Sequence, residues 1–173
     1  DWVLVELRNC NDTSILMQKA ALLLNDGSIV DADSLSENNT KSPLYFHNPN
    51  NFILSGDAYF VSIRHRNHLD VLSKETIVFN TDSLYDFSRV EQVMGGDLEM
   101  VDEIEGITAL YSGDIDGNNI ITITDFNRYV EQSTSIGDYI QSDCNLDHMV
   151  TVADFNLFEK NVSRMSVGVL QYK

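Results

Sequence analysis

The sequence predicts a β-sandwich-like N-terminal module followed by a small α-helical module built on two calcium loops. Three observations carry this expectation. Short apolar, β-branched runs alternate with turn signals through the first half. The second half contains a tandem repeat offset by 29 residues. Both copies place oxygen donors at the same spacing. The expected modules are residues 1–108, including a connector, and residues 109–173.

The first run, Trp2 to Leu7, reads as a largely apolar strand. Ser14 to Leu24 fits helix or strand by length. The following Asn25-Asp26-Gly27 and Ser28-Ile29-Val30 make it one arm of a hairpin, because Asp-Gly between apolar runs supports a tight two-strand turn. Asp31 to Asn51 is polar, holds Pro43 and Pro49, and reads as loop with a short strand at Leu44-Tyr45-Phe46. Ala58 to Arg64 is rich in aromatic and β-branched residues and is the clearest strand; Thr76 to Phe79 is another. Asp86 to Met94 reads as a helical turn broken by Gly95-Gly96. Glu99 to Glu105 reads as a solvated acidic face, and Leu84, Tyr85, Phe87 and Val93 as residues in need of burial.

Composition narrows the function. Eleven Lys and Arg against 27 Asp and Glu give a formal charge of −16, and the pI is near 4.3. Such a surface repels nucleic acid and anionic membranes. Hydrophobic residues make up 43% of the chain, enough for a packed core, and no apolar run approaches the ~20 residues of a membrane helix. The opening Asp1-Trp2-Val3 has neither a basic lead nor an apolar signal region, so the segment is expected to be cut from a longer protein or to be a mature portion of one. Cys10 and Cys144 are expected to be free thiols, since two cysteines make no disulfide framework and no Cys-x-x-Cys pair exists.

The repeat carries the chemistry. Residues 114–131 read DIDGNNIITITDFNRYVE, and residues 143–160 read DCNLDHMVTVADFNLFEK. Positions 1, 3, 5 and 12 of the first loop are Asp114, Asp116, Asn118 and Asp125; in the second they are Asp143, Asn145, Asp147 and Asp154. Calcium takes six to eight oxygen ligands, and this spacing wraps them round one point. Position 7, Ile120 or Met149, would add its backbone carbonyl, and position 9, Thr122 or Thr151, a hydroxyl or a water. Position 8, Ile121 or Val150, is aliphatic in both, as expected if the loops pair through a short β-bridge. With 18 Asp and 16 Asn in the chain, one such loop arises easily by chance, so the duplication is what argues for two Ca²⁺ ions. Phe126, Tyr129 and Val130 follow the first loop at helical spacing, and Phe155, Phe158, Val162 and Met165 the second. No helix signal precedes either loop, so each unit reads as loop plus exiting helix.

The stretch from Gly113 onward resembles a dockerin module, whose two F-hand repeats carry EF-hand-type calcium loops about a pseudo-twofold axis. The matching residues are Gly113-Asp114, Asp116, Asn118, Asp125, Asp143, Asn145, Asp147 and Asp154. The family usually has Gly at loop position 6, where φ is positive; Asn119 and His148 stand there, and both tolerate that conformation better than most residues. The resemblance implies that positions 10 and 11, Ile123-Thr124 and Val152-Ala153, meet a cohesin-like partner. Residues 1 to about 80, through Val61-Ser62-Ile63-Arg64-His65-Arg66-Asn67-His68-Leu69, resemble a β-rich module at the C-terminal end of large secreted proteins of Bacteroidetes-type bacteria. The two resemblances together imply an extracellular or cell-surface, non-catalytic attachment module, docking to a partner protein or to the rest of its parent chain.

The alternative is a carbohydrate-binding module braced by calcium within a polysaccharide-degrading enzyme. Trp2 would then stack on sugar, although its apolar strand setting favours core packing. No nucleophile elbow, phosphate loop or zinc-protease motif occurs, and no catalytic residue is assigned. His65 and His68 would face opposite sides of a strand, with no third ligand nearby, and read as hydrogen-bonding groups at a turn.

Overall fold

The computed structural model describes residues 1–32, 44, 46, 57–78, 84–102 and 106–166. It is β-rich, with antiparallel sheets and two helices. The main sheet is formed by β1 (Trp2–Asn9), β2 (Ile15–Leu23), β3 (Ile29–Asp31), β4 (Ala58–His65), β5 (Val71–Leu72) and β6 (Ile77–Val78). Its order is β3-β2-β1-β4-β5, and β6 also pairs with β4. The Asn25-Asp26-Gly27 turn joins β2 to β3 as the sequence predicts, with Gly27 at φ +81°, where a side chain would strain the backbone.

Strand β1 is central and differs on its two faces. Val3, Val5 and Leu7 are buried on one side, with Ala21, Val61, Ile63 and Val71 from its neighbours. Glu6, fully buried on the other side, bonds to Arg8, accepts from Gln18 Nε2 at 2.8 Å and lies 3.6 Å from Arg64. A buried carboxylate of this kind requires such partners. The apolar face is covered by Phe87, Val93, Leu98 and Leu110, which flank two 3-10 turns at Val90–Gln92 and Met94–Gly96 and a two-stranded hairpin, β7 (Glu99–Asp102) and β8 (Ile107–Ala109).

Several local expectations change. Leu44 and Phe46 are not in a strand but pack against the core, and Tyr45 lies outside the described residues. Phe79 and Glu103–Glu105 also lie outside them. The helical turn expected over Asp86 to Met94 is realised as a 3-10 turn at Val90–Gln92, and Gly95 (φ +72°) and Gly96 (φ +66°) interrupt helical geometry as the sequence predicts. Val93 is buried and Phe87 packs on the core, whereas Leu84 is 93% exposed. Trp2 is 44% exposed rather than packed inside, because it lies on the face of β1 opposite Val3.

Helices α1 (Ile123–Gln132) and α2 (Val152–Glu159) pack through Phe126, Tyr129, Phe155 and Phe158, whose ring centroids lie 5.6–6.5 Å apart. Val130 and Val162 are about half exposed, and Val162 and Met165 fall beyond the end of α2. The aliphatic residues at loop position 8 are buried, but the two loops do not pair with each other there. Ile121 exchanges backbone hydrogen bonds with Ser163 and Arg164, after α2; Val150 does so with Thr134 and Ser135, after α1. Each loop is therefore pinned by the segment that leaves the other repeat's helix.

The residues after β4 join the sheet to both repeats. Asn67 has no exposed surface; its Nδ2 donates to the carbonyls of Gln141 (2.8 Å) and Asp143 (2.7 Å), and its own carbonyl accepts from Gly113 N–H. Leu69 N–H donates to Tyr111 O at 2.8 Å, and the Leu69 side chain packs with Ile121 and Phe158. Gly113 is required at this junction: at φ +119°, an added Cβ would lie 3.1 Å from the Phe158 backbone. Asn161, also buried, donates to Ser112 O at 3.0 Å and to Glu99 at 3.3 Å, and Lys160 pairs with Glu99. Glu99 is thus part of the junction rather than of a solvated acidic face.

His65 and His68 meet rather than diverge, because the chain leaves strand geometry at His65. Their Nδ1 atoms are 3.0 Å apart, and His68 Nδ1 lies 2.7 Å from Asn67 Oδ1. Both Asn67 amide hydrogens go to carbonyls, which fixes Oδ1 as an acceptor and makes His68 Nδ1 the donor. His65 Nδ1 then accepts, and His65 Nε2 faces Asp1 Oδ2 at 3.3 Å. Burial, then His65 and Arg66, push His68 down to about 3; burial, then Arg66, push His65 down to about 4. Asp70 moves the other way, to about 7, because burial with Asp114 and Glu6 nearby outweighs Arg64 at 2.8 Å.

Two outcomes follow from this junction. Asn67→Ala should cost about 2–3 kcal/mol in chemical denaturation, because buried carbonyls lose their donors, whereas Asn127→Ala on the exposed side of α1 should cost under ~0.5 kcal/mol. The second concerns pH. An unfolded imidazole titrates near 6.5, so between about pH 4 and 6.5 the unfolded chain holds protons on these histidines that the folded chain does not. Their contribution makes stability rise with pH in that window, while Asp70, raised from 3.8, opposes it up to about 7. In His68→Gln, melting temperature should therefore climb less steeply from pH ~4.5 to ~6.5 than in the parent; parallel curves would exclude the histidine contribution.

Candidate metal centres

The acidic residues sort by position in the same way in both loops. Positions 1 and 12 are buried: Asp114 and Asp143 are 1% exposed, Asp125 and Asp154 are fully buried. Positions 3 and 5 form the rim, with Asp116 half-buried and Asn118, Asn145 and Asp147 exposed.

Backbone amides hold the buried carboxylates. Asp114 accepts from the N–H groups of Asn118 (3.0 Å) and Asn119 (2.9 Å); Asp143 accepts from Asp147 (3.0 Å) and His148 (3.0 Å). Asp125 accepts from Asp116 (2.9 Å) and Thr122 (2.8 Å); Asp154 accepts from Cys144 and Thr151, both at 2.8 Å. Asn119 (φ +67°) and His148 (φ +69°) adopt the left-handed conformation expected at position 6, which turns the chain toward the position-1 carboxylate.

Asp125 and Asp154 serve a second purpose. Each is the third residue of its helix and completes a capping box with Thr122 or Thr151. Thr122 Oγ1 accepts from Thr124 N–H at 3.3 Å, and Thr151 Oγ1 from Ala153 N–H at 3.2 Å. The position-9 threonines therefore act as helix N-caps.

Asp114, Asp116 and Asp125 each bring a carboxylate oxygen within 4.8 Å of the others, so this triad can hold a metal ion. Burial, aided by Asp125 and Asp116, pushes the Asp114 carboxyl up to about 6, although the Asn118 and Asn119 amides oppose this. The donors are all oxygen, the set a hard cation prefers. Ile120 lies at the rim beside Asn118, whose Oδ1 accepts its N–H at 2.8 Å. Thr124 Oγ1 donates to Asp116 at 2.7 Å, a contact the sequence reading did not foresee.

The second loop departs from the first in three ways. Asn145 Nδ2 donates to Asp147 at 2.9 Å, occupying a rim carboxylate. Arg66 NH2 lies 3.9 Å from Asp143. Leu146 sits at φ +63° where the first loop has Gly117, an unfavourable conformation for a bulky side chain. Met149 takes the position equivalent to Ile120, and its N–H donates to Asp147 at 2.9 Å. Position 2 is buried in both loops, by Ile115 and Cys144. Cys144 and the exposed Cys10 are free thiols; burial, then Asp154 and Asp143, push Cys144 up to about 12.

At the helix starts, Ile123 (67%) and Val152 (68%) are strongly exposed, as are Thr124 and Ala153. Residues that the sequence reading missed include Arg66, Asn67, Leu69 and Asn161, which attach the loops to the sheet. Their signal is weak, since one Asn or Arg in a polar turn resembles any other.

Searches of family models, of curated proteins and of solved structures return no match to this chain. No helix among the described residues is long and apolar enough to cross a membrane.

Divalent-cation titration should distinguish the loops. The first, where the carboxylates already converge, should bind about tenfold or more tightly than the second, equivalent to ~1.4 kcal/mol or more. Asp114→Asn should remove the tighter calorimetric phase and Asp143→Asn the weaker; the reverse assignment, or equal affinities, would contradict the roles of Arg66 and Asn145.

Proposed function

We propose that this chain is a non-catalytic calcium-binding module of a secreted or cell-surface bacterial protein, with a β-sandwich-like half and a dockerin-like half, and that it mediates protein–protein attachment. The supporting observation is the duplicated pair of buried aspartates at loop positions 1 and 12, each held by backbone amides and followed by a capped helix. Calcium suits oxygen donors of this number and spacing, and extracellular concentrations fill even weak sites of this kind. The ions would be structural. The first would be held by Asp114, Asp116, Asn118, Asp125 and the Ile120 carbonyl; the second by Asp143, Asn145, Asp147, Asp154 and the Met149 carbonyl.

Attachment is assigned to Ile123, Thr124, Val152 and Ala153. Ile123 and Val152 are exposed aliphatic residues at equivalent places in the two repeats. The occupant is a cohesin-like domain or the rest of the parent chain. A carbohydrate-binding role keeps one observation in its favour, the exposure of Trp2.

EDTA should lower the melting temperature, and calcium at a hundred times its dissociation constant should restore about 2.7 kcal/mol per site; an unchanged melt excludes a structural ion. Ile123→Asp with Val152→Asp should leave calcium affinity and melting temperature nearly unchanged yet abolish capture of a cohesin-like domain encoded beside the parent gene. Retention on insoluble polysaccharide that is lost in Trp2→Ala would support the carbohydrate reading instead.

A further inference from the structure

A cavity of about 300 Å³ lies between the main sheet, its covering layer and the second acidic loop. Val3, Ile63 and Val71 wall it from the sheet, Leu98 and Leu110 from the covering layer, and Leu146 from the loop. Among the described residues, no Asp, Glu, Lys or Arg lines it, and the polar lining residues are His65, His68, Ser88 and Thr108. The Thr108 hydroxyl is spent on the Ser88 carbonyl. His68 is different. Its Nδ1–H is committed to Asn67, so Nε2 carries the lone pair, and no protein group donates to it among the described residues.

We propose that this cavity binds a small neutral molecule with an apolar, ring-sized body and one hydroxyl group, which donates a hydrogen bond to His68 Nε2. The volume is about twice the ~150 Å³ that accommodates benzene, so a fused two-ring body fits. Apolar walls supply the affinity, and a single acceptor fixes the orientation. An anion is disfavoured by the charge of −16 and by the absence of a cationic lining residue among the described residues. A cation finds no lining carboxylate among the described residues, and His68 stays neutral at physiological pH because it is buried. Leu146 adds a separate indication: it holds a left-handed backbone conformation that leucine disfavours, and its side chain completes the wall.

The probe is 2-naphthol, with 2-naphthoate as its anionic counterpart, titrated calorimetrically into the intact chain in saturating calcium. The expected result is one saturable site for naphthol, with naphthoate at least about tenfold weaker. His68→Leu removes the acceptor and should weaken naphthol by about threefold to tenfold. Ala109→Phe fills the cavity from β8 and should abolish binding. Calcium titration and thermal melts of both variants report whether they fold. Absence of naphthol binding to the parent protein overturns the proposal, as does equal binding of naphthol and naphthoate or undiminished binding by a folded His68→Leu. Because the site uses no metal ligand, failure of the calcium reading would leave this result standing, and the converse holds.

Discussion

Asn67 spends both hydrogens of its amide on two carbonyls at the entrance to the second acidic loop, while its backbone carbonyl takes the amide at the entrance to the first. One buried residue thus fixes both loops against the end of β4, the second through its side chain and the first through its backbone. Much else depends on it. Its oxygen has to accept, so His68 has to donate from Nδ1, and the orientation of the histidine pair beside the cavity follows. A side-chain amide inside a protein is costly unless every hydrogen finds an acceptor, and here each does. That requirement makes the junction specific: Asp at this position would still accept from the imidazole but leave both carbonyls without donors, and Ala would satisfy neither.

The acidic loops pose the opposite problem. Asp114 and Asp125 are almost fully buried and share space with Asp116, yet amides alone satisfy their oxygens. Hydrogen bonds orient these carboxylates without offsetting their burial and, to a lesser degree, their mutual repulsion, which together raise Asp114. A bound cation would offset both. The second loop uses a different compromise, with Arg66 near Asp143 and the Asn145 amide on Asp147 supplying positive or donor character from within the chain. The same pattern in sequence therefore yields two unequal electrostatic environments.

Legibility in the sequence followed the range of the interactions. The β2–β3 hairpin and strand β4 could be read because turn chemistry and β-branched runs are local. The twin loops could be read because duplication separates a pattern from chance in a chain rich in Asp and Asn. Trp2, Leu84 and Glu99 were misplaced because their burial depends on which layer arrives from elsewhere in the chain. The crossed backbone pairing of Ile121 and Val150 was unreadable for the same reason: an aliphatic residue at loop position 8 demands a partner strand but does not say which segment supplies it. His65 and His68 looked divergent only under the assumption that the strand continued beyond His65.

That crossed pairing has a mechanical consequence. Ile121 is held by the segment after α2, and Val150 by the segment after α1. Each repeat's loop is thus braced by the other's exit segment. The aromatic contacts among Phe126, Tyr129, Phe155 and Phe158 tie the same two repeats through their helices. Ordering one loop therefore orders part of the framework that the other needs, so two sites of unequal intrinsic strength would still respond as a coupled pair. The stronger loop, with its converged carboxylates, would bear the larger share of that coupling. The Arg66-moderated second loop would gain its order through the shared framework more than through its own ligands.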